Sequence, residues 1–217
     1  MDGTDKMQIL ICCRIIVSSI KGTGVMQLYT SRMDKFRLRV AGKDDVAAIG
    51  ELIQASVRGL QAADYSLAQR EGALATVFTV DSQLIADGTY FVAIAEGGVM
   101  AGCGGWSFRK TLYGGDQQVE KIVPERLEAR KDAAKIRAIF VHPDFARMGL
   151  GSLILATAEE AAKAEGFTRF EMGSTLTGVT LYEQKGYREV ERKKVPVGGG
   201  ETIEVVRMLK DAGKACY

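Results

Sequence analysis

A mixed β-sheet with helices packed on its faces, α/β or α+β in class, is the architecture this sequence predicts, and three observations carry it. Two runs rich in β-branched, aromatic and small residues, Thr89 to Glu96 and Val99 to Phe108, meet at Gly97-Gly98, a pair suited to a tight antiparallel turn. Further on, Ile136 to Val141, Leu150 to Glu165 and Arg169 to Gly173 succeed one another as strand, helix and strand, the crossover of a parallel pair. The 217 residues, 47% of them hydrophobic, can bury one substantial core, and no internal repeat or interdomain linker divides them.

Taken in order, Met33 to Val40 alternates charged and apolar residues as a half-buried strand does, with the strand proper at Phe36 to Val40. Asp44 is placed to cap a helix whose Val46, Ile49, Ile53, Val57 and Leu60 recur at spacings of three and four. Helical stretches follow at Ser66 to Val77 and Ser82 to Ala86, the latter stopped by Asp87-Gly88. After the hairpin, Leu112 to Ala134 is polar, holds Gly114-Gly115 and Pro124, and shows only a fragment of helical pattern at Glu125 to Arg130; it reads as a long surface excursion.

The run Ile136 to Val141 ends at His142-Pro143-Asp144, and the next helix is expected to bury Leu153, Ile154, Ala158 and Ala161 and to stop at Gly166. Thr177 to Gln184 reads as a short helix stopped by Gly186. Tyr187 to Val195 and Thr202 to Leu209 read as closing strands around Gly198-Gly199-Gly200. One domain over 33–210 is therefore expected, with a tail at 211–217. Residues 1–32 are expected to be an upstream extension, an extra edge strand being the alternative, and Met33 is a candidate start.

Twenty-nine Lys and Arg against 27 Asp and Glu leave a formal charge of +2, too balanced to predict a nucleic-acid binder. Cys12, Cys13, Cys103 and Cys216 form no CxxC pair, which suggests neither a zinc site nor a disulfide framework and fits a reducing cytoplasm. The apolar stretch Ile9 to Ile20 is broken by Arg14, Ser18 and Ser19 and falls short of the ~20 apolar residues of a membrane span; with Asp2 and Asp5 ahead of it, it is also a poor signal peptide.

Chemistry concentrates between Ile136 and Ser152. An apolar strand passes through a Pro-Asp turn into Ala146-Arg147-Met148-Gly149-Leu150-Gly151 and then directly into a helix. The first amides of a helix have no internal partners and sit at the positive end of its dipole, so a pyrophosphate can be held there by backbone alone. Gly149 and Gly151 permit close approach. A P-loop would need Gly-Lys followed by Ser or Thr, and a dinucleotide fingerprint would need Gly where Ile154 stands; neither is present.

Ile139-Phe140-Val141-His142-Pro143-Asp144 followed by Arg147-Met148-Gly149-Leu150-Gly151-Ser152 resembles the coenzyme-A-binding motif of the GCN5-related N-acetyltransferases. Thr177 to Tyr187, with Tyr182, three residues, Gly186 and an aromatic, is similar to the later signature of the same superfamily. The resemblance extends over Phe36 to Leu209. It implies a centrally splayed sheet, acetyl-CoA wedged where two parallel strands diverge, and direct acetyl transfer to a primary amine of a small molecule. The alternatives are a protein or peptide acceptor, or an acyl-CoA-binding regulatory module without turnover; homodimerisation through the closing strands is implied by resemblance alone.

By the same similarity, Ile139, Phe140 and Val141 would pair with the pantetheine arm, and the amides from Arg147 through Met148, Gly149, Leu150, Gly151 and Ser152 would take the pyrophosphate. Two positions depart from the family pattern: Ala146 stands where Gln or Arg is usual, and Thr175 where many members have Asn. Tyr182 matches the general acid of the family, and a phenol with a pKa of ~10 can return a proton to a leaving thiolate.

No carboxylate lies on Lys135 to Val141, so Glu96 and Glu171 are the candidate bases, ordered water being the alternative. Trp106, Phe108, Tyr113 and Arg137 are candidates for the acceptor pocket, Arg137 for an acidic group of the substrate. His142, the single histidine, reads as a turn residue, and Cys103 as a small buried residue and not a nucleophile.

Overall fold

The structure is a computed structural model that describes residues 35–110 and 125–212; the expected extension at 1–32, Met33, Tyr113 and the tail beyond 212 lie outside the described residues. Seven strands form one mixed sheet: β1 (Phe36–Val40), β2 (Tyr90–Ala95), β3 (Met100–Ser107), β4 (Ala134–Val141), β5 (Arg169–Thr175), β6 (Arg188–Pro196) and β7 (Thr202–Asp211), in the order β1-β2-β3-β4-β5-β7-β6. All neighbours are antiparallel except β4 and β5.

That one parallel pair is held by only two register positions, Ala134 with Phe170 and Lys135 with Glu171. Beyond them the strands diverge, while β4 stays paired to β3 and β5 to β7. The central splay is therefore present. Glu171 ties its closed end, accepting hydrogen bonds from Lys135 of β4 and Arg207 of β7.

Among the described residues five helices pack on the sheet: α1 (Val46–Leu60), α2 (Leu67–Leu74), α3 (Ser82–Ala86), α4 (Leu150–Ala164) and α5 (Val179–Gln184). Helix α1 buries Ile49, Leu52, Ile53 and Val57 against Tyr90, Val92 and Cys103. Val46, expected on that face, is exposed. The expected cap also moves by one residue: a 3-10 turn at Lys43–Asp45 precedes α1, and the Asp45 carboxylate both accepts from the Gly42 amide and chelates Arg39.

Helix α4 packs on the opposite face through Leu150, Ile154, Leu155, Ala158 and Ala162, so its buried stripe is set slightly differently from the one expected: Ala161 is only partly buried, and Ala162 takes the core position. Glycines in β3 let it approach. A Cβ on Gly102 would sit 2.8 Å from Ile154 Cδ1, and one on Gly104 2.7 Å from both Ile154 Cγ2 and Ile139 Cγ1. At normal contact distances a side chain there would push helix and sheet apart.

Helix α2 is shorter than the stretch Ser66 to Val77. Ser66 caps it and Gln69 returns the bond, completing a capping box. The helix then ends in a tight turn in which Thr76, Val77 and Phe78 all donate to the Ala73 carbonyl. This turn swings Val77, Phe78 and Thr79 toward the sheet.

Candidate active site

A cavity of about 130 Å³ opens where β4 and β5 part. Its walls are Ile136 to Phe140 of β4, Met172, Gly173 and Thr175 of β5, Tyr182 of α5, the turn Val77 to Thr79, Gln61 at the end of α1, and Val195, Ile203 and Val205 of the closing hairpin. Seven segments distant in sequence thus converge on one gap in a hydrogen-bond ladder, a gap that the pairing register creates.

The wall contributed by β4 is not a regular strand. Cys103 faces Phe140 and Gly105 faces Arg137, so Ala138 and Ile139 together oppose the single Gly104. Ala138 takes up the extra residue at φ +54°, a conformation that costs an L-residue about 1–2 kcal/mol. Its carbonyl lies over Tyr90 and Cys103: the Tyr90 hydroxyl donates to it at 3.4 Å and the Cys103 thiol at 3.8 Å. Burial pushes the Cys103 thiol up to about 12, only partly offset by hydrogen bonds from its surroundings, so it is an inert packing group, as expected.

Tyr182 is brought to the cavity by a short helix that a glycine allows to fold tightly. A Cβ at Gly178 would lie 2.7 Å from Tyr182 Cε2, so the ring lies across the space that a side chain would occupy. Its other flank meets the Tyr187 ring edge-on, with centroids 6.0 Å apart. Burial pushes the Tyr182 phenol up to about 12, which keeps it protonated across the physiological range.

At the open end of β4, His142 caps the 3-10 turn Pro143–Phe145, accepting at Nδ1 from the Asp144 amide; it is a turn residue, as expected. Arg147 at φ +62° and Gly149 at φ +85° then turn the chain into α4, and Leu153 is the first residue whose amide bonds back to Gly149. The amides of Leu150, Gly151 and Ser152 come before it, which is the arrangement an anionic group needs. A Cβ at Gly149 would meet nothing within 4 Å, so the cradle is open on that side. Open cradle, exposed β4 edge and apolar cleft together fit a pyrophosphate, a pantetheine arm and an acetyl group in that order.

Three of the expected site residues stand elsewhere. Trp106 is a core residue, buried against Phe108 and Phe167 in edge-on contacts, because alternation along β3 turns it to the α4 side. Glu171 lies at the closed end of the splay and outside the cavity walls. Burial alone would raise its carboxyl, but Lys135 and Arg207 outweigh that and hold it below the usual carboxylate range, which makes it a poor base. Glu96 is exposed in the turn between β2 and β3, on the side of the sheet where β4 ends and away from the cavity.

Arg137 does line the cavity, but it is already engaged: Asp81 lies 2.6 Å from it, with both side chains less than a tenth exposed. Desolvation lowers the Arg137 pKa and the Asp81 charge opposes that shift. Asp81 was not among the candidates. It caps α3, accepting from the Leu84 amide, and its other oxygen is the one nearest Arg137. Residues Gln61, Thr79, Val195, Ile203 and Val205 also carried no signal in the sequence, since only the fold brings them to the gap.

The acetyltransferase (GNAT) family model matches residues 56–187, and the chain belongs to that family. No curated protein sequence matches it. Among solved structures, a GCN5-related N-acetyltransferase from Rhodopseudomonas palustris is similar over 82% of this chain and 96% of its own, with 22% identity and a TM-score of 0.59. The yncA structure from Salmonella typhimurium, with its cofactor acetyl-CoA, is similar over 84% and 96%, at 18% identity and a TM-score of 0.54. The ribosomal-protein-S18-alanine N-acetyltransferase of Escherichia coli is similar over 84% and 99%, at 16% identity and a TM-score of 0.51. These likenesses concern the fold.

Proposed function

We propose that this protein is an acetyl-CoA-dependent N-acetyltransferase that transfers acetyl directly to the primary amine of a small molecule, with Tyr182 as general acid. The observation that carries the reading is the cavity itself: Tyr182, the bulged strand and the diverging edges of β4 and β5 border one gap, next to a helix start built for an anion. Acetyl-CoA, the cosubstrate, would supply the activated acyl group. Ile139, Phe140 and Val141 would lie along its pantetheine, and the amides from Arg147 to Ser152 would hold its pyrophosphate.

The chain's own residues then have three tasks. The bulge at Ala138 interrupts the pairing of β4 with β3, and a peptide turned out of register there would offer its amide to the acyl carbonyl of bound acetyl-CoA. The apolar walls exclude water and disfavour a charged amine, so the acceptor is drawn toward its neutral, nucleophilic form. Tyr182, protonated, donates toward the thiolate as it leaves. With neither Glu96 nor Glu171 at the cavity, the amine's proton leaves through ordered water.

Thiol release from acetyl-CoA against a panel of amines, with calorimetric binding run in parallel, tests the reading. Turnover with one amine class is the expected result, and absence of acetyl-CoA binding would overturn it. A cytoplasmic location is part of this reading, and among the described residues no helix is long and apolar enough to cross a membrane. A homodimer through the closing strands would use β6, the sheet edge, which is exposed along most of its length.

A further inference from the structure

The acceptor's chemistry is written in the charge of the cavity wall. Arg137 is the only charged side chain among the described residues that line it, and Asp81, 2.6 Å away, cancels that charge. Among the described residues no carboxylate lines the cavity. Acidic groups on neighbouring elements are paired: Glu71 of α2 with Arg58, Glu204 of β7 with Arg192, and Asp64 with the Thr177 hydroxyl.

Most of the remaining side chains on the wall are apolar, including Val77, Phe78, Ile139, Met172, Ile203 and Val205. The polar ones are Gln61, Thr79 and Thr175, beside the open backbone edges of β4 and β5. Gln61 Oε1 and Thr79 Oγ1 are buried without a hydrogen-bond partner among the described residues, and both are oxygens that can accept. An unpaired buried acceptor is costly, and an N–H from a bound ligand is the group that would relieve it.

Each class of amine meets this wall differently. A second ammonium on the acceptor would be desolvated with no counter-charge to receive it. A carboxylate would have to compete with Asp81 for a guanidinium already paired in geometry that burial enforces. An apolar body meets no such cost. The cavity, about 130 Å³, must also admit the acetyl end of acetyl-CoA, so the part of the acceptor that enters it is small.

Resting on the acetyl-transfer reading, we infer that the acceptor is a monoamine with a small, uncharged, apolar body, carrying neither a carboxylate nor a second cation. The same physics disfavours polyamines, free amino acids and aminoglycosides.

The test uses the full chain with acetyl-CoA and follows thiol release with amines matched in skeleton but not in charge. Isoamylamine is compared with leucine, which adds a carboxylate, and pentylamine with cadaverine, which adds a cation; a short peptide with a free N-terminus completes the set. The expected result is a kcat/KM at least about tenfold higher for the monoamine of each pair, since removing an unpaired buried charge is worth more than that factor. Preference for leucine, cadaverine or the peptide overturns the inference and leaves the acetyl-transfer reading standing. Acetyl-CoA binding without thiol release from any amine overturns both.

Discussion

Replacing Tyr182 by Phe removes one oxygen from the cavity wall and leaves the ring where it is. The edge-on contact with Tyr187 and the fit over Gly178 involve carbon atoms only, so stability at neutral pH should change by no more than about 1 kcal/mol. The chemical step is different. With its phenol pushed up to about 12, Tyr182 is roughly three units less acidic than a thiol of pKa ~8.5–9, so complete transfer in isolation would be uphill by about 4 kcal/mol.

The same dry cleft raises the basicity of the departing sulfur, and what Tyr182 supplies is a strong hydrogen bond that becomes a proton transfer as charge develops. That places its contribution at the lower end of general-acid effects, about 10²-fold in kcat, or about 2.7 kcal/mol. Steady-state thiol release should therefore show kcat reduced about 100-fold in Tyr182→Phe, with the dissociation constant for acetyl-CoA within about twofold. The wild-type rate should not lose its acidic form below about pH 11.

A stability signature accompanies this. Because the folded pKa lies above the unfolded value of ~10, the buried phenol contributes fully below pH 10 and its contribution is lost as pH rises toward 12; Tyr182→Phe should escape that loss. A kcat within about threefold of wild type would refute the assignment of Tyr182 as acid.

Other perturbations separate the remaining parts of the site. Asp81→Asn removes the buried counter-charge beside Arg137 and should cost about 3–5 kcal/mol in urea denaturation, whereas Glu71→Gln, at the exposed Arg58 pair, should cost no more than about 1 kcal/mol; equal effects would mean the buried pair is solvated. Gly149→Ala strains a left-handed backbone, at a cost in stability of about 1–2 kcal/mol, and adds a Cβ on the open side of the cradle where the pyrophosphate would approach, expected as a roughly tenfold weaker KM for acetyl-CoA at unchanged kcat; an unaltered KM would remove this loop from the cosubstrate site. For amines of different basicity, kcat/KM should rise with pH up to each acceptor's own pKa. A single inflection common to all acceptors would instead reveal a carboxylate base on the protein.

The strands and helices, within a few residues, and the helix start at Gly149 were legible along the chain, because those signals are local: alternation, caps, glycines at turns and a run of amides with no partner inside the helix. The motif that resembles a coenzyme-A site and the position of Tyr182 were legible for the same reason, since each lies within one contiguous segment. Little of the acceptor side was legible in this way. Trp106 and Arg137 could be placed on strands but not on a face, and a single bulge at Ala138, signalled by nothing but Gly104 and Gly105 on the neighbouring strand, shifts what β4 presents.

What surrounds each candidate carboxylate follows from the tertiary structure. Glu171 was legible as a charge on a strand, but its neutralisation depends on Lys135, 36 residues earlier, and Arg207, 36 residues later. Asp81 was legible as a helix cap and became the partner of Arg137 through the packing of α3 against the sheet. The insertion of β7 between β5 and β6 brought Val205 and Ile203 to the cavity. Local backbone chemistry is short-ranged and can be read along the chain; burial, charge pairing and cavity shape depend on which distant segments meet, and those follow only once the splay in the sheet has set where the chain leaves a gap.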